Sequence, residues 1–249
     1  MKNKYVGFVL SSIAALSFNG CGSSGDSVTG IYDIKDYFAP SVNDTHVIET
    51  YSSTSSDITS ATYDDTDRYQ YTKIEDDTFT LNISYGDGDE SLYNISIDSS
   101  KYLITYEEEQ KTYKYTFPRK VDVGDTFTFS DNVIEYDTLT DKDKTTCVVD
   151  EHIETKTFSI NNINQSFNNV LKITCTINSE VVGKIDAVRE YSEVDIYTTY
   201  YAKGIGEVYM YDKDCNDANS DTQDNLTQCP GGEKYSWKII KSYTATPAE

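Results

Sequence analysis

Apolar and polar residues alternate with a period of two along most of this chain. Phe79, Leu81, Ile83 and Tyr85 alternate with Thr80, Asn82 and Ser84, and Tyr93, Ile95 and Ile97 alternate with Asn94, Ser96 and Asp98. Tyr102, Ile104 and Tyr106 keep the rhythm, as do Tyr113, Tyr115 and Phe117. Successive strand side chains point to opposite faces, so alternation over such short runs predicts half-buried antiparallel strands. Tyr85-Gly86-Asp87-Gly88-Asp89, Asp98-Ser99-Ser100 and Glu107-Glu108-Glu109 lie between the runs and read as turns or solvated connections. The pattern is a β-meander. Longer strands follow at Cys147–Ile160, Val170–Ile177, Lys184–Tyr201, Glu207–Tyr211 and Tyr235–Tyr243, while Ile31–Phe38 reads as a short helical turn or an edge segment before Pro40. Each of the four prolines (40, 118, 230 and 247) falls at the edge of an apolar run or in a loop, where a missing N–H is tolerated. No segment offers three turns of amphipathic helix, and no repeat of fixed period argues for a solenoid or propeller. The expected fold is all-β, with about a dozen antiparallel strands in one strongly curved sheet or open barrel; a β-sandwich is the alternative.

The N-terminus breaks the alternation. Lys2 and Lys4 supply a positive start without an acid, and Val6–Phe18 is an almost uncharged apolar run. That run is shorter than the roughly 20 residues a membrane-spanning helix needs, so it reads as a cleaved export signal. It ends in Phe18-Asn19-Gly20-Cys21, followed by Gly22-Ser23-Ser24-Gly25. This resembles a lipobox, with Gly20 as the small residue before the cysteine and Phe18 in the place where leucine is usual. The resemblance implies that Cys21 carries fatty-acyl chains such as palmitate and becomes the new N-terminus. Two acyl chains give stable anchoring where one is marginal. The domain expectation is a signal peptide over 1–20, a flexible tether over 21–30 and a single β-rich extracytoplasmic domain over 31–249. Gly22 stands where an aspartate would point to inner-membrane retention, which favours the outer membrane.

The second half carries a further resemblance. Val123-Gly124-Asp125-Thr126-Phe127, then Ser166-Phe167-Asn168-Asn169-Val170-Leu171-Lys172-Ile173, then Tyr200-Tyr201-Ala202-Lys203-Gly204-Ile205-Gly206-Glu207-Val208 occur in an order similar to that in a broad set of uncharacterised bacterial envelope lipoproteins. The likeness covers about residues 118–212 and implies an extracytoplasmic β domain without an assigned activity. Gly204 and Gly206 are expected to make a tight turn between two strands. A phosphate-cradling reading of Gly-Ile-Gly would want a following helix, and a strand follows.

Charge narrows the partners. The chain holds 42 acidic against 21 basic residues, a formal net charge of −21, which becomes −23 when the two lysines of the leader are removed. Such a surface repels nucleic acid and anionic headgroups, which leaves the lipid anchor as the membrane contact. The 22 Tyr and 9 Phe supply material for a core, which separates the chain from acidic disordered sequences.

With Cys21 set aside, Cys147, Cys175, Cys215 and Cys229 remain, an even number that suits disulfides in an exported protein. A hairpin folded about Asn161-Asn162-Ile163-Asn164 places Cys147 opposite Cys175, both on the apolar parity of their strands. Cys215 and Cys229 would then close a polar loop. That loop begins as a calcium loop does, with Asp212, Asp214 and Asn216 as D-x-D-x-N, but Asp217 stands where glycine is needed and Gln223 where glutamate is needed. It reads as a solvated acidic loop with no cofactor; were it a Ca²⁺ site, the ligands would be Asp212, Asp214, Asn216 and Asp221. The two histidines, His46 and His152, sit in no nucleophile motif, and His152 reads as a surface residue between Glu151 and Ile153. Most of the tyrosines read as core packing rather than as a sugar-binding face. The expectation is a non-enzymatic lipid-anchored envelope protein, a binding or structural module with an envelope protein or polysaccharide partner. A carrier of an apolar ligand in the curved sheet and a hydrolase on a β scaffold are the alternatives.

Overall fold

The computed structural model describes residues 31–38, 45–75, 77–108, 111–183, 189–215 and 233–244. The elements are β1 (Tyr32–Asp33), α1 (Lys35–Phe38), β2 (Thr45–Ser53), β3 (Thr62–Glu75), β4 (Thr78–Ser84), β5 (Glu90–Ile97), β6 (Lys101–Glu108) and β7 (Lys111–Pro118). They continue with β8 (Lys120–Val121), β9 (Thr126–Glu135), β10 (Leu139–Ile160), β11 (Ile163–Gly183), β12 (Arg189–Ala202), β13 (Gly206–Cys215) and β14 (Glu233–Thr244). Twelve of the strands form one antiparallel sheet in the order β7-β6-β5-β4-β3-β2-β14-β13-β12-β11-β10-β9. Its two end strands meet: the Lys114 backbone N–H on β7 donates to Asn132 Oδ1 on β9 at 3.0 Å. The sheet is thus a nearly closed barrel, and the sandwich alternative is not adopted.

Alternation builds the meander β4–β7 as expected. On β5, Ser91, Tyr93, Ile95 and Ile97 are buried while Glu90, Leu92, Asn94 and Ser96 are exposed. Facing residues stack across the strands, as in Tyr93 on Tyr106, whose ring centroids are 4.8 Å apart. Strands β2 and β3, which the apolar pattern does not signal, precede the meander. β3 contains the run Tyr63-Asp64-Asp65-Thr66-Asp67-Arg68, poor in the apolar residues that signal a strand, because Asp67 turns inward to a lysine rather than outward to water.

The hairpin β10–β11 is longer than its apolar runs. β10 starts at Leu139 rather than Cys147, and β11 extends over Ile163–Gly183 rather than Val170–Ile177. The added segments are mostly polar, with Leu139, Ile163, Phe167, Val181 and Val182 too widely scattered among Thr, Asp, Lys, Asn and Ser to set up an alternation. Cys147 and Cys175 face each other across this hairpin, both almost fully buried, and are joined by a disulfide. The hairpin closes on a two-residue turn, Asn161-Asn162, in which Asn161 takes a positive φ of 48°.

Two irregularities bend this hairpin across the sheet. β10 is bulged at Asp150, and on β11 Asn169 adopts φ 50°. Past these points the buried parity changes: Cys147 and Val149 give way to Phe158 and Ile160 on β10, and the neighbours Val170 and Leu171 are both fully buried. Leu171 belongs to the core inside the barrel, with Tyr93, Tyr102 and Tyr197. Val170 belongs to a second core with Phe158, Ile160, Phe167, Trp237 and Ile239. This second core covers the outer face of β12, β13, β14 and β2. Phe158 stacks at 4.4 Å on Tyr209, which alternates with the inward-facing Met210. A bulge is the usual device for re-aiming a strand in this way.

Removing the cross-strand link should cost stability without changing the fold. Its loop spans 28 residues, which in the chain-entropy account corresponds to about 3–4 kcal/mol. The Cys147→Ala, Cys175→Ala double variant is expected to keep its far-ultraviolet circular dichroism and to unfold at a lower urea midpoint, with an unfolding free energy smaller by that amount; an unchanged midpoint would show that the bond contributes nothing.

Candidate functional site

One end of the barrel is stoppered by the N-terminal segment. Tyr37 and Phe38 on α1 are buried, Phe38 stacks on Tyr201 with centroids 3.9 Å apart, and Phe117 lies at 4.1 Å from it. The Tyr102 hydroxyl donates to the Phe38 carbonyl at 2.8 Å. Ion pairs hold the stopper to separate parts of the wall: Asp33 to Arg119 at 2.6 Å, Lys35 to Asp77, and Asp36 to Lys203 at 2.8 Å. The Gly204 N–H also donates to the Asp36 carbonyl at 2.7 Å. Gly204 and Gly206 take φ of 76° and 105° in the turn between β12 and β13, the tight turn their spacing predicts, and a strand follows it.

Behind the stopper the described residues of the interior pack into one apolar cluster. Its cavity is about 60 Å³, room for a few water molecules. Polar groups collect on the inward side of β3, β13 and β14. Lys238 Nζ lies 3.2 Å from Asp67 Oδ2 and 3.5 Å from the Tyr69 hydroxyl. Glu207 stands across from Tyr201 in the pairing of β12 with β13, and its Oε1 is enclosed without a hydrogen-bond donor among the described residues. Burial pushes the Glu207 carboxyl up to about 7, with Lys238 opposing the shift and Asp67 adding to it. The Tyr69, Tyr197 and Tyr201 hydroxyls are held well above 10, first by burial and then by the charge of Glu207. A second polar layer lies on β9–β11, where Ser179 donates to Asp143 at 2.6 Å and burial raises both Asp143 and Asp141, the latter to about 6.

The structure distributes the sequence-predicted residues unevenly. Cys147 and Cys175 meet, as above. Asp212 faces into the barrel, buried, on the same side of β13 as Met210. Asp214 and Cys215 end β13, while Cys21, the 22–30 tether, Asn216, Asp221 and Cys229 lie outside the described residues. Among the described residues no cluster of three or more His, Cys, Asp or Glu could hold a metal ion. His152 departs from expectation. It is half-buried, stacked on the Tyr32 ring at 4.7 Å, because the short pair β1–β8 brings the N-terminal segment across it. His46 lies in the core, 5.2 Å from the Tyr71 ring, with neither ring nitrogen hydrogen-bonded to a described residue. Its burial lowers its pKa to about 4. Sequence reasoning missed Asp67, Glu207 and Lys238. The one available signal was an acid or lysine on the parity of buried neighbours, as with Glu207 opposite Tyr201.

No protein-family model matches this chain, and neither does any curated protein. Two solved structures resemble it. A predicted lipoprotein from Parabacteroides distasonis ATCC 8503 aligns over 84% of this chain and 99% of that one, at 9% identity and a TM-score of 0.46. A predicted exported protein with a YmcC-like fold from Bacteroides fragilis NCTC 9343 aligns over 84% and 98%, at 9% identity and a TM-score of 0.42. Likenesses of this size assign neither family nor function.

A different concavity lies outside the barrel, where the tip of the β10–β11 hairpin meets β2 and β14. It is an open cleft of about 550 Å³ lined by Glu49, Tyr51, Tyr63, Asn161, Asn162, Ile163 and Lys241. Glu49 accepts hydrogen bonds from Lys241 and from the Tyr51 hydroxyl. Burial raises the Glu49 carboxyl, but these two donors outweigh it and leave its pKa below the ordinary value.

The interior charges make stability pH-dependent in a defined direction. Glu207 is harder to ionise folded than unfolded, so its contribution falls as pH rises from about 4.5 through about 7. His46 is harder to protonate folded than unfolded, so its contribution is lost as pH falls from about 6.5 towards about 4. Glu207→Gln should therefore raise stability at pH 8 by about 3 kcal/mol and gain progressively less as pH is lowered towards 5, as read by urea melts. An equal effect at both pH values would show that Glu207 does not titrate in this window.

Proposed function

We propose that this is an extracytoplasmic envelope protein, held to a membrane by lipid on Cys21, that acts as a non-enzymatic binding module through the outer surface of its barrel. The observation that carries the reading is the leader: two lysines, an uncharged apolar run and a cysteine followed at once by small polar residues. The buried Cys147–Cys175 disulfide supports it, since such bonds persist in oxidising compartments and are rare in the cytosol. The small size of the cavity behind the stopper supports action at the surface. About 60 Å³ is far less than the several hundred that a lipid-sized ligand occupies, which argues against an apolar carrier. The membership among envelope lipoproteins suggested by the Tyr200–Val208 motif, and an outer-membrane address suggested by Gly22, belong to the same proposal. In this reading the acidic segment after β13 is a solvated loop, closed by Cys215 and Cys229 and needing no ion.

Cys21→Ser should move the protein from the membrane to the soluble fraction and abolish incorporation of a fatty-acid analogue; unchanged retention with labelling would overturn the anchor. A thermal melt in EDTA, followed by added Ca²⁺, is expected to show no shift. A rise of several degrees on adding Ca²⁺ would make the loop a cation site.

A further inference from the structure

The cleft between the β10–β11 hairpin tip and the β2–β14 wall has the chemistry of a sugar site. We propose that it binds a neutral saccharide, with the exposed Tyr63 ring as the stacking platform and Glu49, Lys241, Asn161 and Asn162 as the groups that read hydroxyls. This names a ligand class for the binding module proposed above and rests on that reading.

Tyr63 leaves 55% of its surface exposed although its partner across the strands, Tyr51, is 4% exposed. The two rings stand nearly perpendicular, 80° apart with centroids at 5.9 Å. The Tyr63 hydroxyl is engaged with Thr66 Oγ1 at 2.9 Å, which fixes one end of the ring. An aromatic face is electron-rich and attracts the electropositive C–H groups on one side of a pyranose. Such a ring keeps its orientation at small entropic cost, which suits a ligand that brings little apolar area of its own.

The polar groups complement that platform. A sugar hydroxyl both donates and accepts, so a site that reads it needs both kinds of partner close together. Glu49 is an acceptor, Lys241 a donor, and the amides of Asn161 and Asn162 supply both functions. Glu49 and Lys241 are already paired with each other, so the site carries no net charge from these two side chains. On a chain of net charge −21, a cleft without excess positive charge selects an uncharged ligand over a phosphate, sulfate or uronate polymer.

The walls are fixed by the fold. Lys241 sits in a bulge of β14, between Ile240 and Ser242, and its carbonyl accepts from Gln165 Nε2 of the hairpin at 3.0 Å. Asn161 reaches the Tyr51 hydroxyl from the turn. Hairpin and wall are therefore joined at two points beside the cleft, and the second core with Tyr51, Ile160 and Trp237 adjoins it. A pre-formed concavity with a few convergent polar groups is the usual form of a small-molecule site, and at about 550 Å³ the cleft takes one to a few sugar rings.

The test uses the detergent-solubilised full chain. It is screened on immobilised neutral oligomers of glucose, galactose, mannose and N-acetylglucosamine, with sulfated and uronate oligomers alongside, and hits are measured by calorimetry. Binding to at least one neutral series is expected, weakened at least tenfold by Tyr63→Ala and severalfold by Asn162→Ala. Both positions are exposed and Asn162 has no positive φ to lose, so melting should be unchanged. Leu92→Ala, an exposed hydrophobe on β5, is expected to leave binding intact. Binding confined to the charged oligomers, binding unaffected by Tyr63→Ala, or no binding to any oligomer would overturn the sugar site. If a photo-crosslinker at position 63 then captured an envelope protein in intact cells, the binding-module reading would stand without it. Failure of the Cys21 fractionation, by contrast, leaves the sugar measurement untouched.

Discussion

A strand has two faces, and this protein covers both faces of part of its sheet with a single chain. The inner face is buried by curling the sheet on itself until β7 meets β9. Closure does nothing for the outer face, where Tyr209, Tyr211, Tyr235, Trp237 and Ile239 would meet water. The β10–β11 hairpin solves this by changing faces part-way along its length. Asp150 adds one residue to β10 and Asn169 turns β11 through a left-handed conformation, so one continuous pair of strands serves the inner core with its first half and the outer core with its tip. Everything outside the barrel, including the cleft at Tyr63, follows from that switch.

The same constraint separates what the sequence discloses from what it hides. The meander was legible because Tyr93, Ile95 and Ile97 and their neighbours obey strict alternation with one face in the core. The cysteine pairing was legible for a related reason: both thiols occupy the apolar parity and a turn lies midway between them. Strand β3 was not legible, because its inward Asp67 is neutralised by Lys238 from a strand 171 residues away. The polar ends of β10 and β11 were hidden likewise, since Asp141 and Asp143 face a barrel interior that is not apolar at that end. Periodicity reports burial in an oily core, and it fails where burial is accomplished by ion pairs and hydrogen bonds.

The candidate site was less visible than the fold. Glu49 and Tyr51 lie on β2 and Tyr63 on the next strand, but Lys241 comes from β14, 192 residues from Glu49, and only the Asn161-Asn162 turn among the cleft's parts had been marked. Lys241 reaches Glu49 because β14 bulges there and lies against β2, a juxtaposition that belongs to topology and leaves no local trace. The tyrosines were correctly read in bulk as core, as Tyr93, Tyr102 and Tyr197 show. Tyr63 is an exception distinguishable only by its exposed ring.

The placement of β14 between β13 and β2 has a consequence for how the molecule comes into being. The last described strand, β14, is the seam that joins the N-terminal strands to the C-terminal ones. Until Glu233–Thr244 is in place, β2 keeps a bare edge on one side of the gap and β13 on the other, each a template for pairing with another chain. A chain without this strand would therefore keep the meeting of β7 with β9 but gape between β2 and β13, an open sheet with two bare edges rather than a slightly narrower barrel.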